Sequence, residues 1–178
     1  SLIVLQAAVG FWIDTRADQR LQDMFSLRAE SLSSLGAMLD DSNVVRVRLL
    51  RATLSASPET VTKELSEIDK LLANVDKAWA KAKSRATSDE EMKFVTRYEA
   101  SLSKYTQQRS AWIAALRSGD FEQAKAVASD KLTTEAFRDS RNAIRDLFGA
   151  EEKLAAESFK AAHADSRNAL VVSATVLA

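Results

Sequence analysis

An all-α fold, an antiparallel up-down-up-down four-helix bundle, is predicted by three features of the 178-residue sequence. Only four glycines and one proline stand in the chain, which leaves little material for hairpins and strands. Ala, Leu, Ser, Arg, Lys and Glu dominate, and most of these are good helix formers. Apolar residues recur at alternating spacings of three and four, the period of a helix face packed against neighbours. Three short segments interrupt that pattern, and three breaks divide the chain into four helices. The length allows one domain with a sizeable core.

The first helix is expected near residues 3–55, with Leu35, Met38, Val45 and Leu49 along its seam. It stops at Ser55-Ala-Ser-Pro58. There Ser57 can cap the next helix, Pro58 suits its first position, and Glu59 is favourable in its first turn. The second helix, 58–86, carries Val61, Leu65, Ile68, Leu72, Val75, Trp79 and Ala82 on one face. Its closing cluster Lys77, Lys81, Lys83 and Arg85 suits the helix dipole and reads as a solvated face. At the next junction Thr87 or Ser88 is the cap, with acidic residues just inside. The third helix, 88–118, bears Val95, Tyr98, Leu102, Tyr105, Arg109, Trp112 and Leu116. Gly119 can then take the left-handed conformation that ends a helix, and Asp120 can cap the fourth, 120–176, with Phe137, Ile144 and Leu147 inward. Short connections make neighbouring helices antiparallel. At 1.5 Å per residue the outer helices reach about 80 Å and the inner pair about 45 Å. Two long helices therefore run past the bundle on the same side.

Both long helices end in apolar runs, Ser1 to Ile13 and Ala169 to Ala178. Neither reaches the roughly 20 residues that span a bilayer. Each stops at a chain terminus rather than at a turn signal, which is the pattern of a membrane span cut inside it. The expected organisation is the end of one transmembrane helix over 1–13, an extracytoplasmic bundle over 14–168, and the start of a second transmembrane helix over 169–178. With 25 basic and 25 acidic residues, no global field recruits nucleic acid. The absence of cysteine removes a disulfide framework and any thiolate metal site. The single histidine, His163, cannot build a histidine-rich metal centre, and the Glu-x-x-His pairs of di-iron bundles are missing. No phosphate loop or nucleophile triad stands in the sequence. No enzyme activity, metal or cofactor is expected.

Binding chemistry is a different matter. Arg46 lies nine residues before Ser55, and Arg109 nine before Ser118, so both sit roughly 13 Å below the distal turns. Ser129, Lys131, Thr133 and Thr134 begin at a similar height on the fourth helix. Arg109 occupies an apolar-stripe position between Tyr105 and Trp112, and a buried guanidinium needs a partner. An internal ion pair or an anionic ligand satisfies that need, and a side chain that snorkels to solvent at the bundle edge avoids it. Trp112, one turn on, would flank such a ligand. Arg48 faces away from Arg46 on helical geometry and reads as a solvated or intersubunit charge.

The segment Val44-Val-Arg46-Val-Arg48-Leu-Leu-Arg51, in this layout, resembles the ligand-binding domain of bacterial methyl-accepting chemotaxis receptors of the aspartate/serine type. The resemblance covers essentially the whole chain. In the aspartate receptor, arginines five apart reach the ligand's carboxylates, one from each subunit of a dimer, and Arg46 and Arg51 reproduce that spacing. A further arginine four residues on is replaced here by Ser55. No Gln-Pro-Thr segment stands on the fourth helix, so Ser129, Lys131, Thr133 and Thr134 are rough counterparts of its polar contacts. The resemblance implies a periplasmic sensory domain in a bacterial inner membrane, anchored through both termini. It implies a homodimer through the first helices, a small organic acid as ligand, and signalling by a small slide of the fourth helix. The input domain of a sensor histidine kinase and a ligand-free adaptor bundle are the alternatives.

Overall fold

In the computed structural model, the backbone is described for residues 2–55, 57–86 and 88–176, and side chains for 26, 28–55, 57–86 and 88–160. Five helices and no strand stand among the described residues: α1 (Leu2–Ser55), α2 (Pro58–Lys83), α3 (Asp89–Ser118), α4 (Phe121–Ser129) and α5 (Lys131–Val176). The all-α fold matches the expectation, and the three expected breaks fall where the sequence signals them. Local chemistry explains each. At the start of α2, Pro58 opens the helix and the Ser57 hydroxyl accepts from the Thr60 amide at 3.4 Å. Ser88 and Glu91 form a reciprocal capping box on α3, with bonds of 3.2 and 2.8 Å. Gly119 ends α3 at φ 74°. The Gly119 amide reaches the Leu116 carbonyl and the Asp120 amide reaches that of Ala115, which closes the helix as a Schellman motif. Asp120 then caps α4 through the Gln123 amide at 2.9 Å.

Two boundaries depart from expectation. The α2 helix stops at Lys83, three residues early, because the Arg85 and Ala86 amides tighten onto carbonyls only three residues back. The expected fourth helix is not one helix but two. Asp130 adopts φ −63° and ψ 135°, an extended conformation that interrupts the ladder between α4 and α5. The preceding Ser129 hydroxyl folds back on the carbonyls of Lys125 and Ala126.

The chain divides into two compact units, residues 31–150 in one and residues 1–30 with 151–178 in the other. In the second unit the first and last segments of the chain come together, as antiparallel outer helices require. Arg28 there donates to the buried Glu151 carboxylate at 2.7 Å. The first unit holds two apolar clusters. One joins Val45, Leu49 and Ala52 of α1 to Val61, Leu65 and Ile68 of α2, Trp112 and Leu116 of α3, and Ala124 and Val127 of α4. The other joins Leu35 and Met38 to Ala82, Tyr98, Ala143, Ile144 and Leu147, with Trp79 set edge-on to Tyr98. Along α3 and α5, the residues between these clusters are Tyr105, Gln108, Arg109, Thr133, Thr134 and Phe137. That interval brings Arg46, Arg109 and Thr133 near one another.

Among the described residues, no helix is long and apolar enough to cross a membrane. The two terminal apolar runs lie outside the residues whose side chains are described, and so does His163.

Candidate ligand-binding site

Arg46 is the centre of the polar interval. On α1 it follows the fully buried Val45, so its Cα lies at the rim of the core and its side chain extends inward. The guanidinium stands 4.8 Å from the Phe137 ring centroid and 5.9 Å from that of Trp112, close enough for cation–π attraction. Its Nη2 donates to the Thr134 hydroxyl at 3.4 Å, a long and weak bond. Its Nη1 is buried and donates to nothing. No carboxylate pairs with Arg46 or with Arg109 among the described residues.

Arg109 answers the question left open by its position in the apolar stripe: no internal ion pair holds it. It lies over the Tyr105 ring, 5.5 Å from the centroid, and makes one long bond of 3.4 Å to Thr106. Trp112 is fully buried, and its indole N–H is already used, donating to Thr53 at 2.8 Å. It therefore contributes a ring wall and no free donor. Thr133 is fully buried and donates weakly to the Gln108 side chain at 3.4 Å. Tyr105, with Phe137 packed 5.2 Å away, completes the group.

The structure brings together Arg46, Arg109, Trp112, Thr133 and Thr134 and leaves three other expected residues apart. Ser129 is exposed and spends its hydroxyl on its own helix. Lys131 is exposed beside Glu135. Arg51 is 61% exposed and shares Glu64 of α2 with Arg48. The expectation for Arg48 is corrected here. It is only 25% exposed and donates at 2.7 Å to Glu64, a buried carboxylate that draws it inward. Burial pushes the Glu64 pKa up, but hydrogen bonds and charge from Arg48 and Arg51 outweigh this and hold it below the ordinary glutamate value.

Two members of the site escape sequence reasoning, Tyr105 and Phe137. Both have the spacing of ordinary core residues, and their own residue types carry no sign of a polar layer. Burial raises the Tyr105 pKa, and the charges of Arg109 and Arg46, with hydrogen bonding from Arg46, only partly oppose it. The phenol is therefore protonated at neutral pH, and the Arg46 guanidinium stands beside its buried hydroxyl. A shallow groove of about 490 Å³ lies elsewhere, lined by Asp69, Ser110, Ile113, Ala114, Arg117 and Ser118. Its one acid–base pair, Asp69 with Arg117, is satisfied internally at 3.5 Å. Among the described residues no acid, histidine or cysteine cluster could hold a metal ion.

What the arrangement can do is accept an anion. Cationic donors come from α1 and α3, hydroxyls from α5, and rings from Tyr105, Trp112 and Phe137. A family model described as a four helix bundle sensory module for signal transduction matches residues 1–165. No curated protein and no solved structure matches the chain. The chain thus belongs to the four-helix-bundle sensory modules of methyl-accepting chemotaxis proteins.

Proposed function

We propose that this module is a periplasmic chemoreceptor domain that binds a small organic carboxylate at the Arg46 cluster and performs no chemistry on it. The observation that carries the reading is the buried Arg46 Nη1 with no acceptor. A desolvated guanidinium nitrogen without a partner is costly, and a carboxylate relieves that cost with a charge-assisted bond. Arg109 adds positive potential, Thr133 and Thr134 offer hydroxyls, and Trp112 and Phe137 supply an apolar wall. The terminal runs anchor the domain in the bacterial inner membrane, and a homodimer forms through α1. Binding biases signalling through its different affinity for two helix arrangements, in which the α4–α5 arm is displaced along its axis.

A thermal-shift screen of organic acids, followed by calorimetry, tests this. A ligand at about 100 times its dissociation constant adds roughly 2.7 kcal/mol of stability. Arg46→Ala should weaken binding by about 2 kcal/mol or more and change the stability of the empty domain little. Lys83→Ala, in a surface pair with Glu99, is the control. Equal affinity in Arg46→Ala and Lys83→Ala would remove the site.

A further inference from the structure

The helices that meet at Arg46 are not joined with equal strength. Trp112 of α3 and Thr53 of α1, both buried, share a hydrogen bond of 2.8 Å, which fixes those two helices to each other. The bonds from the first turns of α5 are slacker: Thr134 to Arg46 of α1 and Thr133 to Gln108 of α3 both measure 3.4 Å. Leu132 beside them is 62% exposed, and the extended backbone at Asp130 separates this end of α5 from α4. The remaining link from α1 is electrostatic. The Arg46 guanidinium stands over the half-buried Phe137 ring, 4.8 Å from its centroid. No carboxylate among the described residues pairs with Arg46, so the ring meets its full charge. That attraction acts between a positive charge and the negative face of a ring, and it weakens once the charge is paired.

We infer that Phe137 is a positioning residue that latches α5 to α1 through Arg46, and that a carboxylate on Arg46 opens this latch by pairing its charge. This rests on the carboxylate reading above and deepens it, by naming what differs between the two helix arrangements. In the empty protein the unpaired guanidinium attracts the ring and holds the first turns of α5 in place. With the charge paired, the two long bonds and the contact between the Tyr105 and Phe137 rings hold them alone. The ring therefore favours the empty arrangement over the occupied one. By reciprocity, the latch weakens acid binding by the same factor by which the acid loosens the latch. A residue that only walls a pocket acts in the opposite sense, because its removal weakens binding. The latch lies within one chain, and an acid on Arg46 is free to meet a second copy of α1 as well.

Phe137→Leu keeps the position apolar and deletes the ring, whereas Phe137→Tyr keeps the ring. Calorimetry on the whole chain with sodium acetate, sodium benzoate and sodium succinate, at constant ionic strength, compares them. Any of the three that binds the wild type should bind Phe137→Leu about two- to fivefold tighter, the value of a half-exposed cation–π contact. Phe137→Tyr should return affinity to the wild-type level. A second measurement uses no acid. In urea unfolding of the empty protein, Arg46→Ala and Phe137→Leu should be non-additive, by a similar two- to fivefold factor in the unfolding equilibrium. Phe137→Met replaces Phe137→Leu in both measurements if the leucine variant does not fold. Equal or weaker acid binding in the ring-deleted variant, with binding still abolished in Arg46→Ala, overturns the latch and spares the proposed site. Additive effects in the empty protein overturn the latch as well. A wild type that binds none of the three acids overturns both.

Discussion

Three arginines stand within six residues of α1, and their fates show how far a residue's surroundings govern its chemistry. Arg46 faces rings and hydroxyls, and part of it is left without an acceptor. Arg48 and Arg51 turn toward α2 and share Glu64. The 200° of helix rotation between Arg46 and Arg48 was legible in the sequence. The partner was not, because Glu64 reads as one more polar residue between Val61 and Leu65. Its burial has a consequence for pH. Glu64 titrates below its ordinary value when folded, so the unfolded chain binds the proton more readily. The ion pairs therefore contribute full stability above the ordinary glutamate pKa. That contribution fades as pH falls through the ordinary value toward the folded one. Glu64→Gln should flatten this acid limb in urea titrations run from neutral pH to about pH 3. An unchanged acid limb would mean the pair contributes nothing to linkage.

At the scale of the element, caps and stops were the most readable part of the sequence, because each depends on chemistry confined to four or five residues. Ser57, Pro58, Ser88, Gly119 and Asp120 all act as their types require. The break at Asp130 was not readable in the same way. It contains no glycine or proline, and Ser129 and Asp130 are tolerated inside helices when packing favours it. For the same reason the polar interval was only half legible. Arg109 betrayed itself as a charge in an apolar stripe, whereas Tyr105 and Phe137 fit that stripe too well to stand out. The glycines give the cap reading a quantitative check. Nothing lies within 4 Å of a Cβ added at Gly119 or at Gly36, so neither substitution is decided by crowding. Gly119 has φ 74°, where an alanine is strained, and Gly119→Ala should destabilise by about 1 kcal/mol. Gly36 lies within α1, and Gly36→Ala should stabilise by about 0.5 to 1 kcal/mol. Chemical denaturation of the two variants should give opposite signs. The same sign in both would show that packing, not backbone preference, decides these positions.

For the whole molecule, the outward face of α1 matters most. Ser33, Ala37, Asp40, Val44, Val47, Arg51 and Leu54 follow one another at alternating spacings of four and three, and all seven are exposed. Within one chain that regularity has no use, since the inward seam of Leu35, Met38, Val45 and Leu49 already buries the helix. Val44, Val47 and Leu54 are 40%, 53% and 78% exposed, more apolar surface than a solvated helix face needs. A second α1 related by a two-fold axis would meet this face with the same residues at the same heights, the arrangement of a coiled-coil seam. Arg51 would then lie at the interface, its charge partly offset by Glu64. Val47→Glu tests the face at its centre. It introduces two like charges at the seam of a dimer and should abolish association in sedimentation velocity, with and without bound acid. In the monomer the position is solvated, so the urea midpoint should shift by no more than about 0.5 kcal/mol. Calorimetry of the monomeric variant with the acid shows whether binding at the proposed Arg46 site needs the second copy. A Val47→Glu protein that remains dimeric would move the interface to another face of the bundle. One that becomes monomeric and loses its ligand would return the site to the interface.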